Sequence, residues 1–222
     1  MSSIHVEQIE SPLVECAHRQ FSPPEIVERC AGAFMLAIAT PLVAMAAVAI
    51  VTLSRRSPLV AHLRVGKDRK PLWIWKLRTM WGTGEADPLK FDWIEYVIAD
   101  PVEGGKDPFD PRVRSPFASF CRRHSLDELP QLWHVVRGEM SLVGPRPLTS
   151  AEVARHYGSD ATDLLSVKPG LTGLWQVYGR SAIQFPHRAA MDLELVRTLT
   201  PRMYLKIVAR TFPAVIFGKG AY

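Results

Sequence analysis

Cysteine is scarce in this chain, with only Cys16, Cys30 and Cys121 among 222 residues. The odd count and the lack of any CxxC pair or Cys/His metal spacing argue against a disulfide framework and a structural zinc, and fit a reducing compartment. No Walker motif and no GxGxxG is present to cradle a nucleotide. His124, His134, His156 and His187 show neither HExxH nor a nucleophile–base spacing, and are read as surface or packing residues. Ser125 lacks a GxSxG setting, so a cap suits it better than a nucleophile. Internal repeats and low-complexity tracts are absent. Acidic residues are outnumbered, 22 to 27, which leaves a net charge of +5 and a pI near 9.3. That excess suits an anionic partner: a membrane surface, a phosphorylated substrate or nucleic acid. The basic residues are dispersed and match no nucleic-acid motif, which argues against the last.

Long apolar runs are missing too, with one exception. Cys30 to Leu53 carries no charge. At about 1.5 Å rise per residue it reaches about 36 Å, enough for a hydrocarbon core of about 30 Å. It is a poor signal peptide: Glu15, Glu25 and Glu28 precede it, and Arg55-Arg56 stands where cleavage would fall. Residues 1–24 are polar and read as a flexible tail. A helix should start near Pro23 or Pro24, with Glu25 and Glu28 at the positive end of its dipole. Pro41 interrupts the apolar run and should kink the helix, and the Thr40 hydroxyl stands beside the carbonyl it frees. Both flanks are basic: Arg29 before, and Arg55, Arg56, Arg64 and Lys67 after. A spanning helix usually shows that bias on one side. The residues alone leave open a re-entrant hairpin, a kinked crossing and a buried soluble helix.

Past the apolar run, two apolar stretches flank the polar turn Gly66–Lys70 and predict a β-hairpin. In its second strand Lys76 and Arg78 share one face. Residues 82–111 read as a variable surface loop with a short helical patch around Leu89–Ile98. From Phe117 onward the chain should be mostly helical, broken by loops at Gly144–Pro147 and Lys168–Gly179. Met203–Phe217 mixes Lys206 and Arg210 with aliphatic and aromatic residues, and suits a membrane interface.

The chemistry concentrates in Arg122–Pro147, "RRHSLDELPQLWHVVRGEMSLVGPRP". Ser125 to Glu128 forms a capping box, or, in another register, Asp127 is the N-cap with Pro130 in the first turn. Either way two carboxylates sit where N–H groups favour charge and phosphate. Arg122, Arg123 and Arg146 can turn cationic forks towards them. Pro145 and Pro147 fix the backbone on both sides of Arg146. An ionised Asp among arginines is a poor base but a plausible nucleophile or metal ligand for phosphoryl transfer. With two carboxylates, Mg²⁺ is the natural hard cation. In "KPGLTGLWQVYGR", Lys168–Arg180, the glycines let backbone approach a ligand. Trp175 or Tyr178 could stack on a base, and Lys168 or Arg180 could pair with phosphate. The competing reading is a tight packed loop with buried aromatics.

"KLRTM", "DPRV", the long central motif and "KPGLTGLWQVYGR" occur in that order. Together they resemble the bacterial sugar transferase family, the monotopic phosphoglycosyl transferases, over about residues 25–222. The resemblance implies an α+β, mostly helical fold: a re-entrant membrane helix (25–54) broken at Thr40-Pro41, a small β-hairpin, and a cytoplasmic-face catalytic domain (55–222) with interfacial amphipathic helices. It implies transfer of a sugar-1-phosphate from a UDP-sugar to undecaprenyl (polyprenol) phosphate with release of UMP, at the bacterial inner membrane, as a first step of exopolysaccharide or other glycan synthesis. It makes Asp127 the covalent nucleophile and gives Glu128 a part in placing Mg²⁺ or handling protons, so both are metal candidates. Lys76, Arg122, Arg146 and Arg180 match its phosphate-contacting cations, and Asp110 and Arg112 its DPR element. The partners implied are the UDP-sugar, undecaprenyl phosphate and membrane lipids, with no nucleic acid; a homodimer is compatible. The chain departs from the family at Tyr204, where an Asp is common, and in the 82–111 loop. It looks like the minimal catalytic form. A membrane-bound phosphatase or pyrophosphatase, with water as acceptor, and a non-enzymatic membrane adaptor are the competing functions.

Overall fold

A long apolar run is either packed against the rest of the chain or left exposed, and here it is some of each. In the computed structural model, which describes residues 21–81, 92–98, 113, 115–179 and 183–218, that run forms helix α1, Glu25–Ser54. Pro24 is its N-cap, and Glu25 and Glu28 lie in the first turn. The helix stays continuous through Pro41. Pro41 has no N–H to give to the Ala37 carbonyl. The Thr40 hydroxyl does not replace it: it donates to the Leu36 carbonyl at 2.7 Å, because a threonine on a helix reaches the carbonyl four residues before its own position. Arg55, in left-handed conformation, ends the helix by donating its N–H to the Val51 carbonyl.

Helix α1 is long and apolar enough to cross a membrane. Phe34, Ile38, Met45, Val48 and Leu53 are exposed along it, while Ala39, Ala46 and Ile50 face protein. Gly32 marks the closest approach: a Cβ there would come within 2.9 Å of Val135 Cγ1. The Arg29 guanidinium does not serve as a free basic flank, because its Nε donates to the Val136 carbonyl at 2.8 Å.

The hairpin forms as expected, with β1 (Leu59–Val65) antiparallel to β2 (Pro71–Leu77) around the turn 66–70. The helical patch expected near Leu89–Ile98 is not there among the described residues. Ile94–Val97 is strand β3, parallel to β1 on the edge away from β2. Two aromatic and two β-branched residues among Trp93 to Val97 fit a pleated surface better than a helix, and Trp73 packs edge-on against Tyr96.

Beyond the sheet the chain is helical: α2 (Pro116–Arg123), α3 (Leu132–Val136), α4 (Ser150–His156), α5 (Ala161–Leu165), α6 (Leu174–Tyr178), α7 (His187–Thr198) and α8 (Pro201–Phe217). Two short strands interrupt them. β4 (Ser141–Val143) and β5 (Gly170–Thr172) pair in parallel, so the expected loop at Lys168–Gly179 is a strand followed by the α6 turn. A Cβ on Gly144 would lie 2.7 Å from the Lys168 carbonyl oxygen, and one on Gly170 would collide with the Gly144 backbone. These glycines therefore serve contact between the two motifs, not backbone approach to a ligand. The main core joins Leu72 and Ile74 of β2, Leu132 and Val135 of α3, Leu142 and Val143 of β4, Leu195 of α7 and Ile207 of α8. Each such side chain contributes about 2 kcal/mol by leaving water. The protein is mostly helical, with two small sheets and one long apolar N-terminal helix.

Candidate active site

The Asp-Glu pair does not start a regular helix. Leu126–Gln131 is a 3₁₀ segment with Pro130 inside it. Ser125 precedes it in left-handed conformation, φ 54°, and makes no capping hydrogen bond. Neither expected register holds, since a left-handed residue cannot aim its side chain along the turn as an extended N-cap does. The capping box of this region is at Thr149 and Glu152, at the start of α4. A six-residue 3₁₀ segment also gathers little dipole. The surroundings of the pair come instead from neighbouring elements.

Asp127 is 4% exposed. The last turn of α2 packs against it, where burial and then the Asp127 charge push the Cys121 thiol up to about 11. Arg122 lies buried in that same turn, while Arg123 turns away to pack on Gly218. Glu128 receives two cations on one oxygen: Lys76 Nζ from β2 and Arg146 Nη1, each 3.4 Å from Oε1. Burial lowers Lys76 to about 8, with Arg146 and Arg64 adding to the fall and Glu128 and Asp127 opposing it. Burial also works against the Arg146 charge, but Glu128, Glu152 and Asp127 more than offset it and raise that group. Arg78, one residue past β2, goes elsewhere: it donates to the Ser57 carbonyl and pairs with Glu95 of β3.

Pro145 and Pro147 are buried, and the loop they stiffen is held from two sides. Gly144 N–H donates to the Thr172 carbonyl and Gly170 N–H to the Pro145 carbonyl. Val65 N–H, at the end of β1, donates to the Leu148 carbonyl. Arg146 therefore leaves a fixed backbone and reaches Glu128. Trp175 is not a stacking platform for a base: it is 7% exposed, with Arg188 and Arg146 over its ring at 4.7 and 5.9 Å. Tyr178 carries Arg210 over its ring at 4.4 Å, and Lys168 pairs with Glu25 at 3.2 Å. Arg180, Asp110 and Arg112 lie outside the described residues.

Three residues escaped the sequence reading. His134 is a packing residue, as one of the two readings has it, but with partners no spacing announces: its Nε2 accepts from the Trp75 N–H at 3.3 Å and its Nδ1 faces Glu139 at 2.7 Å. Nδ1 therefore carries the proton. Trp75 adjoins Lys76, so this ring fixes the strand that delivers the Lys76 ammonium. Burial lowers His134 below its ordinary 6.5, against the pull of Glu139. The unfolded chain then takes up this proton at higher pH than the folded one, so stability falls as pH drops below about 6.5. Thermal unfolding followed from about pH 7 to 5 should show that loss, and His134→Phe should flatten it while lowering the whole curve.

Glu28 is the second. Its Oε1 accepts from Ser141 Oγ at 2.6 Å, Leu142 N–H at 3.0 Å and Tyr204 Oη at 2.6 Å. The first helix thus braces the strand leading into Gly144–Pro147, and Tyr204, standing where the resembled family often has an Asp, supplies the donor to an acid on α1. The third, Asp192, lies beneath Trp175 and is 1% exposed. An isolated acid in a helix carries no sequence signal of either role.

Residues 22–218 match the bacterial sugar transferases, a span holding every element from α1 to α8. The chain belongs to the bacterial sugar transferase family. Within it, the chain is 38% identical over 195 residues to a UDP-galactose-lipid carrier transferase of Erwinia amylovora, covering 84% of this chain and 39% of that protein. It is 37% identical over 169 residues to the exopolysaccharide production protein ExoY of Sinorhizobium fredii, covering 72% of this chain and 71% of that one. A UDP-glucose:undecaprenyl-phosphate glucose-1-phosphate transferase of Caulobacter vibrioides is 33% identical over 89% of this chain and 71% of its own length. The chain thus spans well under half of the Erwinia relative and most of the other two.

Proposed function

We propose that this member of the family transfers a sugar-1-phosphate from a UDP-sugar to undecaprenyl phosphate and releases UMP. The observation that carries the reading is the Asp127–Glu128 pair, walled by α2 and faced by Lys76 and Arg146. The activities named for its relatives supply the substrate class. In the first half-reaction an Asp127 oxygen attacks the β-phosphorus of the donor. The bond from that phosphorus to the bridging oxygen breaks, and UMP leaves with the electron pair. In the second, an oxygen of the polyprenol phosphate attacks the phosphosugar, and the Asp127 carboxylate is regenerated. Lys76 and Arg146 neutralise charge on the diphosphate oxygens as it is redistributed. Arg122 and Arg180 are assigned to the same anion by resemblance.

The donor set fits Mg²⁺. Adjacent carboxylates are hard oxygen ligands, and this ion binds through one or two of them while taking its remaining ligands from water and substrate phosphates. When bound by Asp127 and Glu128, the ion supplies charge neutralisation at the diphosphate. EDTA should stop UMP release and added Mg²⁺ restore it.

Helix α1 is assigned to a re-entrant path, entering and leaving on the cytoplasmic face near Thr40-Pro41. The proline inside the helix and its exposed apolar face support that path, with Arg55 and Arg56 at the end where the chain leaves it. Helix α8 lies at the interface, with Leu205, Phe212 and Phe217 exposed beside Lys206 and Arg210. A cysteine introduced within residues 1–20 should resist a periplasmic thiol reagent; labelling from that side would mean a full crossing.

The whole reading is tested by UMP release from a panel of UDP-sugars with undecaprenyl phosphate. Acceptor-dependent UMP with one or a few sugars supports it. Free sugar-1-phosphate formed without acceptor would point to the phosphatase instead.

A further inference from the structure

Helix α7 carries an acid that the transfer chemistry above does not use. Asp192 is 1% exposed, and its carboxyl sits where three other elements meet. Tyr157, at the end of α4, donates its hydroxyl to Oδ2 at 3.0 Å. Trp175 of α6 donates its indole Nε1–H to the same oxygen at 3.3 Å. Oδ1 has no hydrogen bond of normal length and angle, although the Arg146 amide lies close enough to favour the charged form. Above the indole stand the Arg188 and Arg146 guanidiniums, and Arg146 is the group that reaches Glu128. The acid is thus the base of a short column: carboxyl, indole, guanidinium, catalytic pair.

We propose that Asp192 is a positioning residue for the transfer reaction, one that fixes Arg146 over the Asp127–Glu128 pair through Trp175 and the Arg146 amide. The proposal rests on the transferase reading for its kinetic consequence. The geometric part does not. An indole held by its N–H cannot tilt, so the cation above it keeps one distance from Glu128. The ionised carboxyl is the competent form, because it accepts from both donors and attracts the arginine loop.

Burial raises Asp192 to about 7, although the Tyr157 and Trp175 hydrogen bonds and Arg146 pull the other way. The groups facing it are Tyr157, Trp175 and Arg146 from the packed elements and Arg188 from its own helix, with Glu152 acting on Tyr157 and Arg188. Turnover should therefore fall as pH drops through about 7, as the carboxyl takes a proton.

Asp192→Asn separates positioning from folding. Both donors converge on one oxygen, so an amide carbonyl can accept them. What changes is the charge, and an NH₂ group now faces the Arg146 amide. UMP release should fall by about tenfold or more near pH 7.5, with the melting temperature close to wild type and the acid limb gone. Tyr157→Phe removes a bond that favours the ionised acid, so it should move that limb to higher pH. Independently of substrate, the Trp175 indole N–H resonance should titrate near pH 7 in wild type and stay fixed in Asp192→Asn. Turnover and acid limb unchanged in Asp192→Asn would overturn the proposal, as would activity lost only in step with melting temperature. If wild type released no UMP, the transferase reading would fail, and the indole titration would still decide the placement.

Discussion

Asp127→Asn is expected to lower UMP release by about 10⁴-fold or more while the protein stays in the membrane fraction. The amide keeps the size and burial of the side chain, which is 4% exposed in a well-packed corner between α2 and the 3₁₀ segment. It does not keep the oxygen lone pairs at full negative charge, and it cannot form the acyl phosphate. Because the fold near it relies on the α2 and β2 contacts, the variant should melt near wild type. The exposed apolar faces of α1 and α8 are unchanged by this substitution. A non-enzymatic adaptor predicts the opposite, with every assayable property of the variant unchanged.

Lys76 gives the second large effect. Its Nζ is 3.4 Å from Glu128 Oε1, and burial brings it down to about 8. Lys76→Met should cost about 10²–10³-fold in turnover, the scale of losing one donor aimed at developing charge. The sign of the pH effect follows from the protonated form being the working one. Activity should fall as pH rises through about 8, since the ammonium is lost there, an alkaline limb separate from the acid limb set by Asp192. Lys76→Arg keeps a cation whose charge survives far above that range. It should be slower at neutral pH, because a planar fork replaces a point charge, but its alkaline limb should disappear. A limb that stays near 8 in Lys76→Arg would assign the ionisation to another group.

Local signals carried part of this structure and long-range ones carried the rest. The apolar run, Pro24 before two acids, and two apolar stretches around Gly66–Lys70 each act within a few residues, and α1, β1 and β2 stand where those signals place them. Strand β3 was misread as helix because its partner lies some thirty residues earlier and the pair is parallel. β4 falls in a stretch that reads as helix and β5 in one that reads as a loop: three residues each carry no period, and only their pairing across Gly144 and Gly170 makes them strands. In the site, the adjacent carboxylates and the proline-flanked Arg146 were legible because their chemistry is written in one short segment. The meeting of Lys76 with Glu128 across 52 positions could be named by resemblance alone. Ser125 was assigned to a cap by its spacing from Glu128, yet its left-handed backbone removes that role and the box forms at Thr149 instead. His134, Glu28 and Asp192 work through buried hydrogen bonds to distant elements, and no spacing in the chain announces such bonds.

Intact-protein and peptide mass spectrometry of enzyme mixed with its UDP-sugar, in the absence of undecaprenyl phosphate, addresses the central step most directly. A mass increase of one phosphosugar, located on Asp127 and discharged when the lipid phosphate is added, is the expected result. Stoichiometric donor turnover with no adduct on Asp127, or an adduct that the acceptor cannot discharge, would contradict it.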